Sequence, residues 1–219
     1  ALADELFRTG VDVLTSGNHV WRKREAIDLL NRDPRVIRPA NYPDGAPGAG
    51  STIVESLSGQ KVGVLNVMGR VFMEPLDCPF RTADRELARL KLVTPIIIVD
   101  MHAEATSEKV AMGWHLDGKV SCVFGTHTHI PTADERILPH GTAFITDVGM
   151  TGPYDSVIGR RVDQILTRFL SNMPHKSEVA EANVQLRGLL IDVQPTTGRA
   201  VSVERITRVL DGAIRGTGD

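Results

Sequence analysis

Three apolar, strand-like segments in this chain each run into a short polar cluster that carries histidine, and this recurrence constrains the fold more than any other feature. Residues 11–15 lead into Ser16, Gly17, Asn18 and His19, residues 96–100 into His102 and Glu104, and residues 119–124 into Gly125, Thr126, His127, Thr128 and His129. Amphipathic helical patterns follow the first two clusters, over 21–31 and near 108–115. Strand-loop-helix units in series stack their strands in parallel, and the carboxyl ends of such strands line one crevice. Residues distant in sequence are therefore expected to meet there, and four of the seven histidines lie in these loops.

The rest of the chain fills in an α/β fold. Residues 2–10 read as the end of a helix, with Leu2, Leu6 and Phe7 on one face and Gly10 as its stop signal. The Pro- and Gly-rich stretch 39–50 reads as loop, and 52–57 with 61–67 as a hairpin turning at Ser58 and Gly59. A helix is expected over 83–92, a buried strand over 95–100 and another strand over 119–124. Beyond Glu135 hairpins take over, 136–138 with 142–146 and 184–193 with 200–209, separated by a helix over 162–170. Such a mixture predicts two packed sheets flanked by helices. At 219 residues and 42% hydrophobic content there is material for one core, hence a single domain over 1–219. Residues 212–219 read as a frayed tail.

Charge and composition narrow the function. A net charge of -2, from 25 basic and 27 acidic residues without a basic stripe, argues against extended nucleic-acid binding. The longest apolar run, 95–99, is far below the roughly 20 residues that cross a bilayer, so no membrane role is expected and a cytoplasmic location is. Cys78 and Cys122 are far apart and outside any CxxC spacing, which predicts neither a disulfide nor a thiolate metal site.

What remains is the chemistry of the clusters. On an extended backbone residues i and i+2 point to the same side, so His127 and His129 are expected to face one site. Neutral imidazole is a common metal ligand, and the Asn18 amide oxygen suits a hard or borderline divalent ion. His19, beside it, is free to act as an acid toward a leaving group. The plainer alternatives are hydrogen-bonded loop histidines and, for Asn18, a turn with a helix cap. Arg70, Arg81, Asp100, Glu104, Asp134 and Asp147 are candidates for contacts behind the ligands or to substrate, since ligating histidines usually donate their other N–H.

These residues carry a resemblance. GNH at 17–19, His102 and GTHTH at 125–129 resemble motifs of the calcineurin-like metallophosphoesterases, with Thr126 a departure from the usual Gly-His. The strings LTSGNH at 14–19, RPANYP at 38–43, MHAEATSEK at 101–109 and ITDVGMTGP at 145–153 are similar to the YmdB branch of that superfamily. The resemblance implies a four-layer α/β/β/α sandwich, two divalent metals and phosphodiesterase activity toward a small-molecule phosphodiester such as a cyclic nucleotide. It makes Asn18, His102 and His127 ligands of one metal, His129 a ligand of the other and His19 the catalytic acid. Iron or manganese follows from the resemblance, while the ligand types suit zinc or cobalt equally. The family's Asp after a first strand and Glu-Asn pair after a second have no counterpart here, so the chain is expected to be N-terminally incomplete, lacking the first strands. With only His129 at the second position, the chain alone is expected to hold at most one weakly bound metal. A regulatory or interaction protein on the same fold and a phosphomonoesterase are the competing readings, and a homo-oligomer is compatible with the sequence.

Overall fold

Parallel strands covered on both faces must be apolar nearly throughout, and three segments of this chain meet that demand, with six of the eight residues of 61–68 buried. The computed structural model describes residues 2–210. In order they form α1 (Leu2–Arg8), β1 (Leu14–Thr15), α2 (Glu25–Arg32), β2 (Val36–Ile37), β3 (Ser51–Glu55), β4 (Lys61–Met68), α3 (Pro79–Leu90) and β5 (Ile97–His102). Then follow α4 (Thr106–Leu116), β6 (Cys122–Thr126), β7 (Arg136–Ile137), β8 (Ala143–Ile145), β9 (Gly152–Pro153), α5 (Val162–Ser171), β10 (Val184–Val193) and β11 (Ala200–Val209). The tail expected at 212–219 lies outside the described residues.

A six-stranded mixed sheet, ordered β3-β4-β5-β6-β8-β7, forms the centre. Its four inner strands are parallel, and β3 and β7 close the edges antiparallel to their neighbours. One face is covered by α3 and α4, whose Ala83, Leu87, Leu90, Met112 and Leu116 join Leu65, Val67, Val99 and Val123 in the main core. At Gly113 a Cβ would collide with the Phe144 ring, so α4 can lie close against β8 only because that residue has no side chain. The other face meets the antiparallel sheet β9-β10-β11, with Ala200, Leu189, Ile191 and Val203 packed on Cys122, Ala143, Ile98 and Phe124. Two packed sheets, the central one mixed, and helices on the outer side agree with the expected α/β architecture.

The differences from expectation lie at element ends. The strand expected over 11–15 shrinks to β1, whose partner is the equally short β2. The helix expected from residue 21 begins at Glu25, because turns closed by Val20 N–H to the Gly17 carbonyl and Arg22 N–H to the His19 carbonyl occupy the preceding residues. α3 starts earlier than expected, at Pro79, where the missing N–H costs nothing in a first turn. β6 starts and ends later than 119–124, since Lys119 N–H still bonds back to the Leu116 carbonyl at the end of α4. That shift carries the strand up to Thr126. β9 was not anticipated.

Candidate metal centre

Register sets the site. β5 and β6 pair in parallel with His102 level with Thr126, so both strands deliver polar side chains at the same end of the sheet. The turn after β1 is brought over that end by Asn66 Nδ2, which donates to the Ser16 carbonyl (2.6 Å), and by Thr15 Oγ1, which donates to Asp100 Oδ2 (2.6 Å). A Cβ at Gly17 would run into the His102 ring, so glycine is what lets the turn lie on the imidazole. Asn18 Oδ1 then sits 3.1 Å from His102 Nε2, and His127 Nδ1 3.2 Å from the same atom. The two rings meet edge to face at 4.9 Å between centroids.

Hydrogen-bond accounting fixes what these inner atoms offer. The Thr126 hydroxyl has one hydrogen and gives it to Asp100 Oδ1 at 2.7 Å, so toward His102 Nδ1, 3.0 Å away, it can only accept. His102 therefore carries its proton on Nδ1 and presents a lone pair at Nε2. Burial pushes the Asp100 carboxyl up to about 6, against the Thr15 and Thr126 hydroxyls, so at neutral pH it still accepts both. His127 Nε2 faces Glu104 Oε2 at 3.0 Å, which makes Nε2 the donor, so in the neutral ring Nδ1 keeps the lone pair. Burial, helped by His127, holds the His102 imidazole down at about 3, so the ring is neutral at any ordinary pH.

With both rings neutral, two imidazole lone pairs and an amide oxygen converge here. Donor atoms held about 2.1 Å from one ion lie about 3.0 Å apart at a right angle and about 3.4 Å apart at a tetrahedral one. Separations of 3.1 and 3.2 Å fit that spacing. The set suits a borderline divalent ion, and with oxygens outside the imidazoles it has the outer contacts such ligands use. Among the described residues no group of three His, Cys, Asp or Glu is placed to hold a metal ion, and here Asn18 supplies the third donor.

The other candidates lie further out. His127 and His129 follow the end of β6 and have φ of 98° and 68°, so the side-to-side alternation expected of an extended pair does not apply. His127 turns to His102 and Glu104, while His129 Nδ1 lies 3.1 Å from the Ile158 carbonyl. His19 is exposed in the turn next to Asn18. Asp147 accepts from Lys109 Nζ (2.6 Å) and from the Thr128 hydroxyl (2.7 Å), bracing the loop between the two histidines. Asp134 accepts from Thr132 and Thr146, Arg81 is exposed on α3, and Arg70 meets Glu108 through its backbone N–H. Lys109 and Glu108 escaped the sequence reading: charged residues on an amphipathic helix read as solvated, yet both are buried. Phe72 escaped it too, on a loop without periodicity. With Asn18, Met73, Glu74 and His127 it lines a pocket of about 350 Å³ beside the cluster.

A mixed sheet packed on a second sheet, with His side chains at the ends of its parallel strands and an Asn on a turn laid over that end, is the architecture of the calcineurin-like, metallophosphoesterase-like class. Within it the chain belongs to the YmdB-like protein family, whose model matches residues 1–206. It is 50% identical over 201 residues to a Bacillus subtilis (strain 168) protein named 2',3'-cyclic-nucleotide 2'-phosphodiesterase, covering 92% of this chain and 76% of that one. A crystal structure of a hypothetical protein from Thermus thermophilus superposes with a TM-score of 0.87 at 42% identity, covering 94% of this chain and 80% of the other. A novel phosphatase from Mycoplasma pneumoniae gives 0.86 at 35% identity, covering 94% and 75%. The family implies divalent metals.

Proposed function

We propose that this chain is a single-domain, cytoplasmic, metal-dependent phosphodiesterase that cleaves cyclic nucleotides, with Asn18, His102 and His127 holding one ion, while His129, against the Ile158 carbonyl, would need further ligands to hold a second. The observation that carries the reading is the convergence of Asn18 Oδ1, His102 Nε2 and His127 Nδ1, with separations of 3.1 and 3.2 Å about the His102 atom. Iron or manganese is the expected metal, in keeping with the family, and zinc or cobalt would also be accepted by these donors. A divalent ion in such a site polarises a phosphoryl oxygen and lowers the pKa of bound water.

The protein's own part is orientation and proton supply. Thr126 and Asp100 hold the His102 ring with Nε2 inward, and Glu104 does the same for His127 Nδ1. His19, exposed beside Asn18, is the group placed to protonate the departing alkoxide. Metal-dependent hydrolysis of 2',3'-cyclic AMP, lost in His127→Ala, tests the reading. Metal-loaded protein that binds the nucleotide without turning it over would favour a binding or regulatory protein, a reading that draws on the absence of a carboxylate among the three donors. Faster turnover of adenosine 3'-monophosphate than of the cyclic diester would favour a phosphomonoesterase.

A further inference from the structure

Phe72 is the least expected side chain around the crevice. It is 89% exposed, although burying a phenylalanine is worth about 1.5–3 kcal/mol. Its backbone has a φ of 61°, a left-handed conformation that a bulky residue adopts only when its surroundings impose it. The surroundings here do impose it. Gly69 N–H donates to the His102 carbonyl at 2.9 Å, tying the start of the loop to the strand that carries the site. The buried Glu108 carboxylate accepts from Arg70 N–H at 3.0 Å and from Val71 N–H at 3.3 Å. Met73, on the other side, packs against the main core. An aromatic ring is thus held out in water by a loop braced at both ends.

The ring also stands in the right place. Phe72 shares a pocket of about 350 Å³ with Asn18 and His127, so a ligand whose phosphate lies at those two residues extends its remainder toward the phenyl face. Glu74 on the same wall disfavours a second anionic group at that end. A flat, uncharged, aromatic substituent fits both conditions. We propose that Phe72 is the stacking platform for the nucleobase, and that the substrates are diesters carrying a base next to the scissile phosphate rather than base-free diesters. This inference rests on the reading of the site as a phosphodiesterase.

The test compares metal-loaded wild type with Phe72→Ala, Phe72→Leu and Phe72→Trp on 2',3'-cyclic AMP and on 1-O-methylribose 2',3'-cyclic phosphate, which lacks a base. Binding of adenosine 3'-monophosphate is measured in parallel by calorimetry. Base–aromatic stacking is typically worth a factor of about 5 to 150 on alanine substitution. Phe72→Ala and Phe72→Leu should lower the preference for the cyclic nucleotide by about that factor, through KM, and weaken adenosine 3'-monophosphate to match, while Phe72→Trp retains both. Equal losses on the two diesters, or a Trp variant as impaired as the Ala one, would overturn the proposal. So would a Phe72→Ala protein with a changed oligomeric state and unaltered nucleotide binding. Wild type that binds adenosine 3'-monophosphate but cleaves neither diester would sink the hydrolytic reading alone, and the calorimetric comparison would still decide for or against Phe72. Wild type that does not bind the nucleotide overturns the stacking role as well.

Discussion

Thr126 shows how one hydroxyl governs a larger site. Its oxygen accepts a hydrogen bond from His102 Nδ1–H and its hydroxyl donates to Asp100, so its loss removes the tautomer control and leaves a buried carboxylate one partner short. Thr126→Val is expected to weaken metal binding about 10- to 100-fold, the usual effect of losing such an outer contact. Thr126→Ser should restore most of it, as read by competition with a chromogenic chelator. At the same scale, burial pushes the Cys122 thiol up to about 12, whereas Cys78 is partly exposed at the start of α3. A native-state thiol titration is therefore expected to find one reactive cysteine, and a denatured one two. Asn18, His102 and His127 were legible in the sequence because each follows an apolar strand. Thr126 stood out there only as a departure from a motif. Its task depends on register between β5 and β6, and single-strand patterns do not contain register.

Among the elements, α2 and β2 are joined by a short polar clasp. Asp33, closing α2, accepts from Arg35 Nη2 at 2.7 Å, Nε at 3.0 Å and backbone N–H at 3.0 Å, and this holds its carboxyl down at about 2. A lowered folded-state value means that the contribution to stability is fully present above about pH 4, where the unfolded chain is also ionised, and is lost as pH falls through about 2. The melting-temperature gap between wild type and Asp33→Asn should be flat near neutrality and close over that acid window. α4 carries a larger stake, since Lys109 and Asp147 form an ion pair with both side chains 1% exposed. Lys109→Met is expected to cost about 3–5 kcal/mol in urea unfolding, because it strands a buried carboxylate. Adding Asp147→Asn should recover part of that loss. The helices and the long hairpins were visible as periodicity, but their ends were not. Turn hydrogen bonds at Gly17 and His19 delay α2, and a turn at Leu116 delays β6, and such bonds leave no repeating trace.

For the molecule as a whole, laying the turn after β1 over the end of the central sheet brings together residues more than eighty positions apart, as Asn18 and His102 are. Metal binding should therefore stabilise the entire domain and not the loops alone. At 100 times its Kd an ion that binds only the folded state adds about 2.7 kcal/mol. Calorimetric melting in manganese should show that gain, a chelator should reverse it, and His127→Ala should abolish it. An unchanged melting temperature at saturating metal would argue against the centre described here. The backbone carries one further record. Among the described residues the non-glycine positions with left-handed φ are Phe72, His127, His129, Ile158, Asn172 and Asn183. The asparagines bear that conformation cheaply, whereas other side chains give up roughly 1–2 kcal/mol. Phe72 and His127 border one pocket, so two of these conformations lie beside the cluster, while the His129 ring meets the Ile158 carbonyl further out. Glycine at Phe72 would relieve that strain and remove the exposed ring beside the cluster in the same step.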